Sequence, residues 1–117
     1  MSAINPGKSE GPITGTFSPS GLSVDFRITT MNVPDTATAI PAVALADRVA
    51  MSITNLDAVE ILYLGKITVT ADRVLGTTAG WEVGPGESFN VDIADSIVIY
   101  GRAEATKTIL VKVLEIS

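Results

Sequence analysis

The residues best suited to chemistry in this chain are carboxylates that lie near turns. Glu87, Asp92 and Asp95 are close together in the sequence, and Asp57 and Glu60 flank another turn. Two carboxylates can cleave a glycosidic bond when they face a cleft at a separation of roughly 5 to 9.5 Å. Sugar-binding clefts are usually lined by aromatic groups, and aromatic residues make up only 5% of this sequence. We therefore expect these carboxylates to be solvated residues of turns and strand ends.

The chain contains no Cys and no His. This excludes thiol nucleophiles, Cys/His zinc sites, Ser-His-Asp triads and imidazole acid/base catalysis. Calcium binding by carboxylates is an alternative, but the acidic spacing does not match an EF-hand loop. The Gly84-Pro85-Gly86 segment lacks the Lys-Ser/Thr ending of a phosphate loop and predicts a hairpin turn. We expect no enzymatic activity, no metal site and no cofactor.

The aromatic residues Tyr63, Trp81 and Tyr100 are expected to fill the edges of a core, with their polar atoms hydrogen-bonded. A stacked ligand at Trp81 or Tyr100 is the alternative. Eight basic and 13 acidic side chains give a net charge of −5. Because the basic residues are scattered, the chain lacks the cluster that neutralises phosphates, and we expect no nucleic-acid partner.

No segment predicts membrane insertion. The longest apolar run, residues 40–46, contains Pro41 and is far shorter than the ~20 residues that span a bilayer. Residues 1–11 contain no apolar stretch typical of a signal peptide. We therefore expect neither secretion through such a peptide nor a membrane partner.

Alternating apolar and polar residues predict amphipathic strands at 22–28, 48–54, 66–70 and 88–93. In the first of these, Leu22, Val24, Phe26 and Ile28 are expected to face a core. One solvated face per strand is typical of antiparallel sheets. The more continuously apolar stretches 59–64, 97–100 and 109–116 predict strands covered on both faces, either at the centre of a sheet or at a subunit interface.

The segments between these stretches have the composition of turns. Pro85 and Gly86 suit the two central positions of a type II turn, so residues 82–93 predict two strands around one tight turn. Twelve Val, twelve Ile and thirteen Thr also favour strands over helices. The fold class we predict is all-β: a single antiparallel β-sandwich or small β-barrel, jelly-roll-like.

Residues 36–50 are rich in Ala, which raises helix propensity. Ile40, Val43, Leu45 and Val49 do not form a full helical stripe. The sequence Val33-Pro34-Asp35, directly before the segment, has the composition of a turn. We favour a strand or loop here, with one short helix as the alternative.

Residues 1–21 contain four Gly, three Pro and four Ser, which makes a central strand improbable. We predict an extended N-terminal arm at 1–21 and a β-sandwich domain at 22–117. Ile4, Ile13 and Phe17 are the candidate partner-binding residues, as apolar anchors of that arm. Two alternatives are a frayed terminus and an arm that covers the open end of its own sandwich.

From residue 40 onward the order of short motifs is distinctive. Arg48 to Asn55 is followed by Ile61-Leu62-Tyr63-Leu64-Gly65, Val69-Thr70, Gly84-Pro85-Gly86-Glu87, Ile99-Tyr100-Gly101 and a closing stretch from Ile109 to Glu115. This order resembles a broad group of small β-sandwich virion proteins of tailed bacteriophages. The resemblance covers about two-thirds of the chain. The segment 71–78 is longer than the usual link after the Val-Thr pair.

The resemblance implies a virion structural protein that does no chemistry. The leading expectation is a capsid decoration, or cement, protein that binds the major capsid protein and stabilises the head shell. A neck, tail, baseplate or fibre-attachment component of the same fold is the alternative. The resemblance also implies a homotrimer or another cyclic oligomer, and location in the virion after assembly in the host cytoplasm. From another class, a carbohydrate-binding or calcium-dependent adhesion module is disfavoured by the low aromatic content.

Overall fold

A computed structural model describes residues 25–72 and 75–117, and within these ranges the chain is all-β with no helix. Eight strands are present: β1 (Phe26–Val33), β2 (Thr38–Ile40), β3 (Ala50–Asn55), β4 (Leu62–Gly65), β5 (Trp81–Val83), β6 (Ser88–Asp92), β7 (Ile99–Arg102) and β8 (Ile109–Ile116). They form two four-stranded antiparallel sheets. Sheet I has the order β1-β8-β3-β6, and sheet II has the order β2-β7-β4-β5.

The two sheets pack face to face as a small β-sandwich, which confirms the predicted fold class. Alternate residues of the central strands point into the core: Met51 and Ile53 from β3, and Val111 and Val113 from β8, are at most 2% exposed. Sheet II contributes its own buried side chains to the same cluster, namely Ile40, Leu62, Leu64 and Val83. The period-two pattern identified the buried face of β3 correctly, but it failed at the two residues before the strand, where Arg48 is buried and Val49 is 55% exposed.

The strand directions give the sandwich two distinct ends. At one, β1 and β8 meet through the pair Phe26 and Ile116, and the loops 41–49 and 93–98 lie there with the described parts of the β4–β5 connection, 66–72 and 75–80. We call this the Phe26 end. The loops 34–37, 56–61, 84–87 and 103–108 lie at the other, the Asn55 end. Residues 1–24 join the described chain at the Phe26 end, because Asp25 directly precedes β1.

The predicted buried face of the first strand is wrong. Phe26 and Ile28 are 64% and 58% exposed, whereas Met31 and Val33 face the core. The apolar alternation falls on even positions up to Ile28 and on odd positions from Met31, so a regular strand can bury only one of the two sets. The structure buries the second set. Leu22 and Val24, from the same prediction, lie outside the described residues.

The predicted strand at 66–70 is also wrong. These residues belong to the loop after β4, where the Val69 N–H donates to the Lys66 carbonyl in a turn at 2.9 Å. Val69 is nevertheless buried, and Thr70 makes only an isolated bridge with Ala79. The alternation of apolar and polar residues at 66–70 therefore reflects a turn that buries the Val69 side chain, and not a strand that pairs along its length.

The turn at Gly84-Pro85-Gly86 is present, but it does not close a hairpin. Glu87 N–H donates to the Gly84 carbonyl at 3.0 Å, and Gly86 has the positive φ of 76° that the predicted type requires. The strands on either side, β5 and β6, belong to different sheets. The segment therefore crosses the sandwich from sheet II to sheet I.

Residues 36–50 form β2 and a loop, as favoured, and no helix.

The three continuously apolar stretches differ from the prediction in detail. β8 lies inside sheet I as expected, yet only one of its faces is covered, because its burial alternates along its whole length. Residues 59–61 and 97–98 precede their strands, and Val59, Ile97 and Val98 are exposed. The strands there are Leu62–Gly65 and Ile99–Arg102.

Candidate interaction surface

The outer face of sheet I carries a strip of apolar side chains on its β1 and β8 half. Phe26 lies opposite Ile116 and Ile28 lies opposite Leu114, so the four side chains share one face. Phe26 and Ile28 are largely exposed, and the two β8 residues are half-buried. We call these four residues the apolar strip. A contiguous exposed apolar surface is typical of an interaction site, unlike single exposed apolar residues.

The other half of the same face is polar. Ser52 on β3 donates to the Asn90 side-chain oxygen on β6 at 2.6 Å. The hydroxyls of Thr54 and Ser88 form a second cross-strand hydrogen bond at 2.7 Å. The face is therefore divided along the strands, and only its β1 side offers water-excluding contacts to a partner.

Beneath the strip, an ion cluster centred on the buried Glu115 fixes which face of β1 and β8 points outward. Glu115 is fully buried, and its Oε1 accepts hydrogen bonds from the Arg27 guanidinium. Its Oε2 accepts from Arg48 Nη1 at 3.0 Å and from the Leu45 N–H at 2.9 Å. Because Arg27 and Glu115 pair across the strands on the inner face, their neighbours Phe26 and Ile116 must point outward.

Arg48 extends this cluster to a second loop. Its Nη2 donates to the carbonyls of Ala94 at 2.9 Å and Ile97 at 2.8 Å, and its Nε donates to the Ile93 carbonyl at 3.3 Å. A buried guanidinium needs such partners because an unpaired charge is costly to desolvate. The cluster thus connects β1, β8 and the loops 41–49 and 93–98 at the Phe26 end.

Exposed large apolar residues concentrate at this same end. Besides the strip, they comprise Val43, Val49, Ile67, Leu75, Trp81, Ile97 and Val98, whereas Leu56, Val59 and Leu110 lie at the Asn55 end. The candidate anchors Ile4, Ile13 and Phe17 lie outside the described residues, as does the whole predicted arm. The strip and this end were not identified from the sequence. The change of phase after Ile28 signals only that one of the two apolar sets of β1 must be exposed, and not which one.

The Asn55 end is held by polar contacts. Asn55 is fully buried, and its Nδ2 donates to the carbonyls of Glu60 at 2.8 Å and Val83 at 3.0 Å. Its Oδ1 accepts from the Asp57 N–H at 2.8 Å. The Asp57 carboxylate in turn accepts from the N–H groups of Glu60 and Val59, and these two bonds hold the pKa of Asp57 below its ordinary value. This side-chain network joins the two sheets.

Three of the five carboxylates considered first for catalysis, Asp57, Glu87 and Asp95, accept hydrogen bonds from backbone N–H groups of turns and loops. Asp95 accepts from the Asp47 N–H at 2.9 Å, and Glu87 accepts from the Gly84 N–H at 2.8 Å. Asp57 and Glu60 are joined by the turn just described. Within residues 25–72 and 75–117, no three Asp or Glu side chains are grouped as a metal site would require. Asp57, Glu87 and Asp95 therefore stabilise turns and loops in this structure.

The structure confirms the predicted core-edge position of Tyr63 and contradicts that of Trp81. Tyr63 is buried and its hydroxyl donates to Glu104 at 3.1 Å, as expected for a core-edge tyrosine. Trp81 is instead 66% exposed, at the first residue of an edge strand, with its ring centroid 6.3 Å from that of Phe89. The prediction that it fills the core edge is wrong: Trp81 shares a strand face with Val83, but it stands at the first residue of β5, at the end of the sandwich, and only Val83 is buried.

Tyr100 lines a shallow cavity of about 210 Å³ together with Ile40, Pro41, Arg48 and Asp95. This is smaller than the roughly 300 to 1,000 Å³ typical of small-molecule sites. Its two charged groups are already engaged, Arg48 with loop carbonyls and Asp95 with the Asp47 N–H. The cavity therefore offers a weaker case for binding than the apolar strip.

No helix in the described part of the chain is long and apolar enough to cross a membrane. Comparison with known proteins found no matching family model, no matching curated protein and no matching solved structure.

Proposed function

We propose that this chain is a non-enzymatic structural protein of a tailed-bacteriophage virion, a capsid decoration protein that binds the head shell and stabilises it. The observation that carries the proposal is the position of the resembling motifs on the fold. The Arg48 to Asn55 motif includes β3, the stretch ending at Gly65 includes β4, and the closing stretch from Ile109 forms most of β8. Their order thus follows the core strands of one sandwich.

The apolar strip supports an attachment role for this sandwich. Phe26 and Ile28 lie exposed on a sheet face, so they suit a broad contact with another protein surface. A few buried apolar side chains commonly supply most of the energy of such an interface. The shell surface would cover the strip, and the polar β3 and β6 half of the face would form the rim.

Co-sedimentation tests the proposal. Purified chain is mixed with empty shells assembled from the major capsid protein of the phage that encodes it, and bound protein is measured against the added concentration. We expect saturable binding. The double variant Phe26→Ser/Ile28→Ser should lose at least tenfold in affinity, because both side chains leave the interface.

Val59→Ser is the matched control, since Val59 is 74% exposed and lies at the Asn55 end. It should bind like the unmodified chain. Absence of binding to shells, together with binding to isolated necks or tails, would replace the decoration role with the neck or tail alternative. Absence of binding to any virion component would overturn the proposal.

A further inference from the structure

Within the described residues, the β1 edge of sheet I has less protection against strand pairing than the other three sheet edges. Proteins protect sheet edges with short strands, charged side chains on either face, prolines or bulges, or by covering the edge with other parts of the chain. The edge strands β2 and β5 have only three residues each, and β6 presents Ser88, Asn90 and Asp92 outward. β1 has eight residues and no proline or lysine, and its one inward-pointing charge, Arg27, is neutralised by Glu115. Its length and composition set it apart from the other three edges.

The backbone groups on this edge can be identified from the pairing. The Asp25 carbonyl accepts from Ser117 N–H at 2.9 Å, so odd-numbered residues of β1 hydrogen-bond with β8. The N–H and C=O groups of Ile28, Thr30 and Asn32 therefore point to the open side. Within the described residues, no strand lies along that side. The Phe26 N–H is taken up by the Asp25 carboxylate at 2.8 Å.

The charges on β1 select the kind of strand that would fit there. Arg27 is its one charged residue, and its guanidinium turns to the inner face to pair with Glu115. The outward side chains, Phe26, Ile28, Thr30 and Asn32, are all neutral. A strongly charged peptide would find no complementary charge on this face, whereas a neutral apolar strand would meet no repulsion.

We propose that this edge binds a second copy of the same chain, with the two β1 strands antiparallel about a two-fold axis at Thr29. This orientation places the Asp25 and Arg27 half of each strand opposite the neutral Met31 and Val33 half of the other. A parallel arrangement would set Arg27 beside its own counterpart. Two sheets I become one continuous eight-stranded sheet, in an isologous interface that closes as a dimer.

The two-fold axis runs through the sheet, so both apolar strips lie on the same side of it. Two adjacent strips form a larger apolar surface than either copy presents alone. The dimer does not depend on the decoration role, because it uses the open edge of β1, and the strips remain uncovered in it. A dimer that bound no shell would overturn the proposed function and leave this inference standing.

The first experiment is light scattering coupled to size exclusion on the full chain. The proposal predicts twice the 12.2 kDa chain mass. Because the chain lacks Cys, Thr29→Cys provides a second readout. Residues opposite each other at a non-hydrogen-bonded antiparallel position have Cα atoms about 4.5 Å apart, within the range that a disulfide spans. Oxidised Thr29→Cys should therefore run as a covalent dimer, and the control Asp92→Cys, on the β6 edge, should not.

Two variants act on the edge itself. Thr30→Pro removes an outward-facing N–H and leaves the β1–β8 ladder intact, and Ile28→Lys adds like charges on both sides of the axis. Each should raise the dimer dissociation constant at least tenfold. Asn90→Pro, the same change on the outward side of β6, should leave the dimer unchanged. Thermal unfolding shows whether each variant is folded. If a proline variant does not fold, Ile28→Lys still tests the proposal.

A monomer or a trimer at micromolar concentration would overturn the proposal. So would a dimer that both edge variants leave intact, or one without a Thr29→Cys cross-link. A chain lacking residues 1–24 should still dimerise. If that truncation abolished the dimer, the N-terminal segment, and not β1 of the second copy, would be the occupant of the edge.

Discussion

Glu115 and Arg48 form an ion pair at 3.0 Å in which both side chains are at most 1% exposed. The carboxylate lies on the inner face of β8, and the guanidinium comes from the residue two before β3. A buried pair of this kind contributes little against a well-packed apolar replacement, yet removal of one partner leaves a desolvated charge. The pair therefore holds the Phe26 end in one conformation, and the free energy lost on breaking it comes mainly from the charge that is left unpaired.

The first prediction is that Glu115→Ala lowers the free energy of unfolding by about 3–5 kcal/mol. The change leaves Arg48 and the Leu45 N–H without their carboxylate. Denaturant unfolding measures the loss. The matched control is Lys107→Ala, which breaks the surface pair with Glu60 at 3.7 Å. It should cost less than about 1 kcal/mol. Equal losses in the two variants would show that the buried cluster is unimportant.

The second prediction concerns the Asn55 end. Asn55→Ala removes three hydrogen bonds and leaves buried backbone groups without partners, so the free energy of unfolding should fall by about 2–3 kcal/mol. Asn90→Ala, at an exposed position of β6, should change it by less than about 1 kcal/mol. A loss in Asn55→Ala as small as in Asn90→Ala would contradict the role assigned to this network.

The third prediction is a pH dependence. The N–H groups of Glu60 and Val59 lower the pKa of Asp57 from its ordinary 3.8. The ionised carboxylate therefore stabilises the fold above about pH 4, and this contribution is lost as the pH falls through the lowered pKa. In Asp57→Asn, unfolding free energy should decline less steeply below pH 4 than in the unmodified chain. Parallel curves, measured by denaturant unfolding from pH 2 to 6, would contradict the assignment.

The fourth prediction tests the face that β1 buries, with one substitution at two isoleucines. Ile53→Ala should cost about 2–5 kcal/mol, because Ile53 is fully buried. Ile28→Ala should cost less than about 1 kcal/mol, because Ile28 is 58% exposed. Both are measured at a protein concentration low enough for monomers. A large loss for Ile28→Ala would restore the inward face that its alternation predicted.

Local patterns in the sequence predicted the strands whose apolar phase is constant. β3 and β6 keep one phase throughout, so Met51 and Phe89 were placed on the inner face correctly. β1 changes phase between Ile28 and Met31, and local sequence does not determine which half is buried. The choice depends on the long-range pair of Arg27 with Glu115, which are 88 residues apart.

The sheet assignment of β5 and β6 was likewise beyond a local pattern. A Pro85-Gly86 turn with flanking strands favours a hairpin, and the turn geometry itself was correct. The partner of each strand depends on distant residues: Asn55 exchanges backbone hydrogen bonds with Gly86 and Glu87 across the turn. The apolar strip was missed for the same reason, since it exists only when β1 and β8 are adjacent.

The most direct test of the proposed decoration role is an electron cryomicroscopy reconstruction of empty shells saturated with the full chain. The account predicts added two-layered density on the outer surface of the shell, with the face that carries Phe26 and Ile28 against the capsid protein. Density confined to the portal, neck or tail, or density in which that face points to solvent, would contradict it.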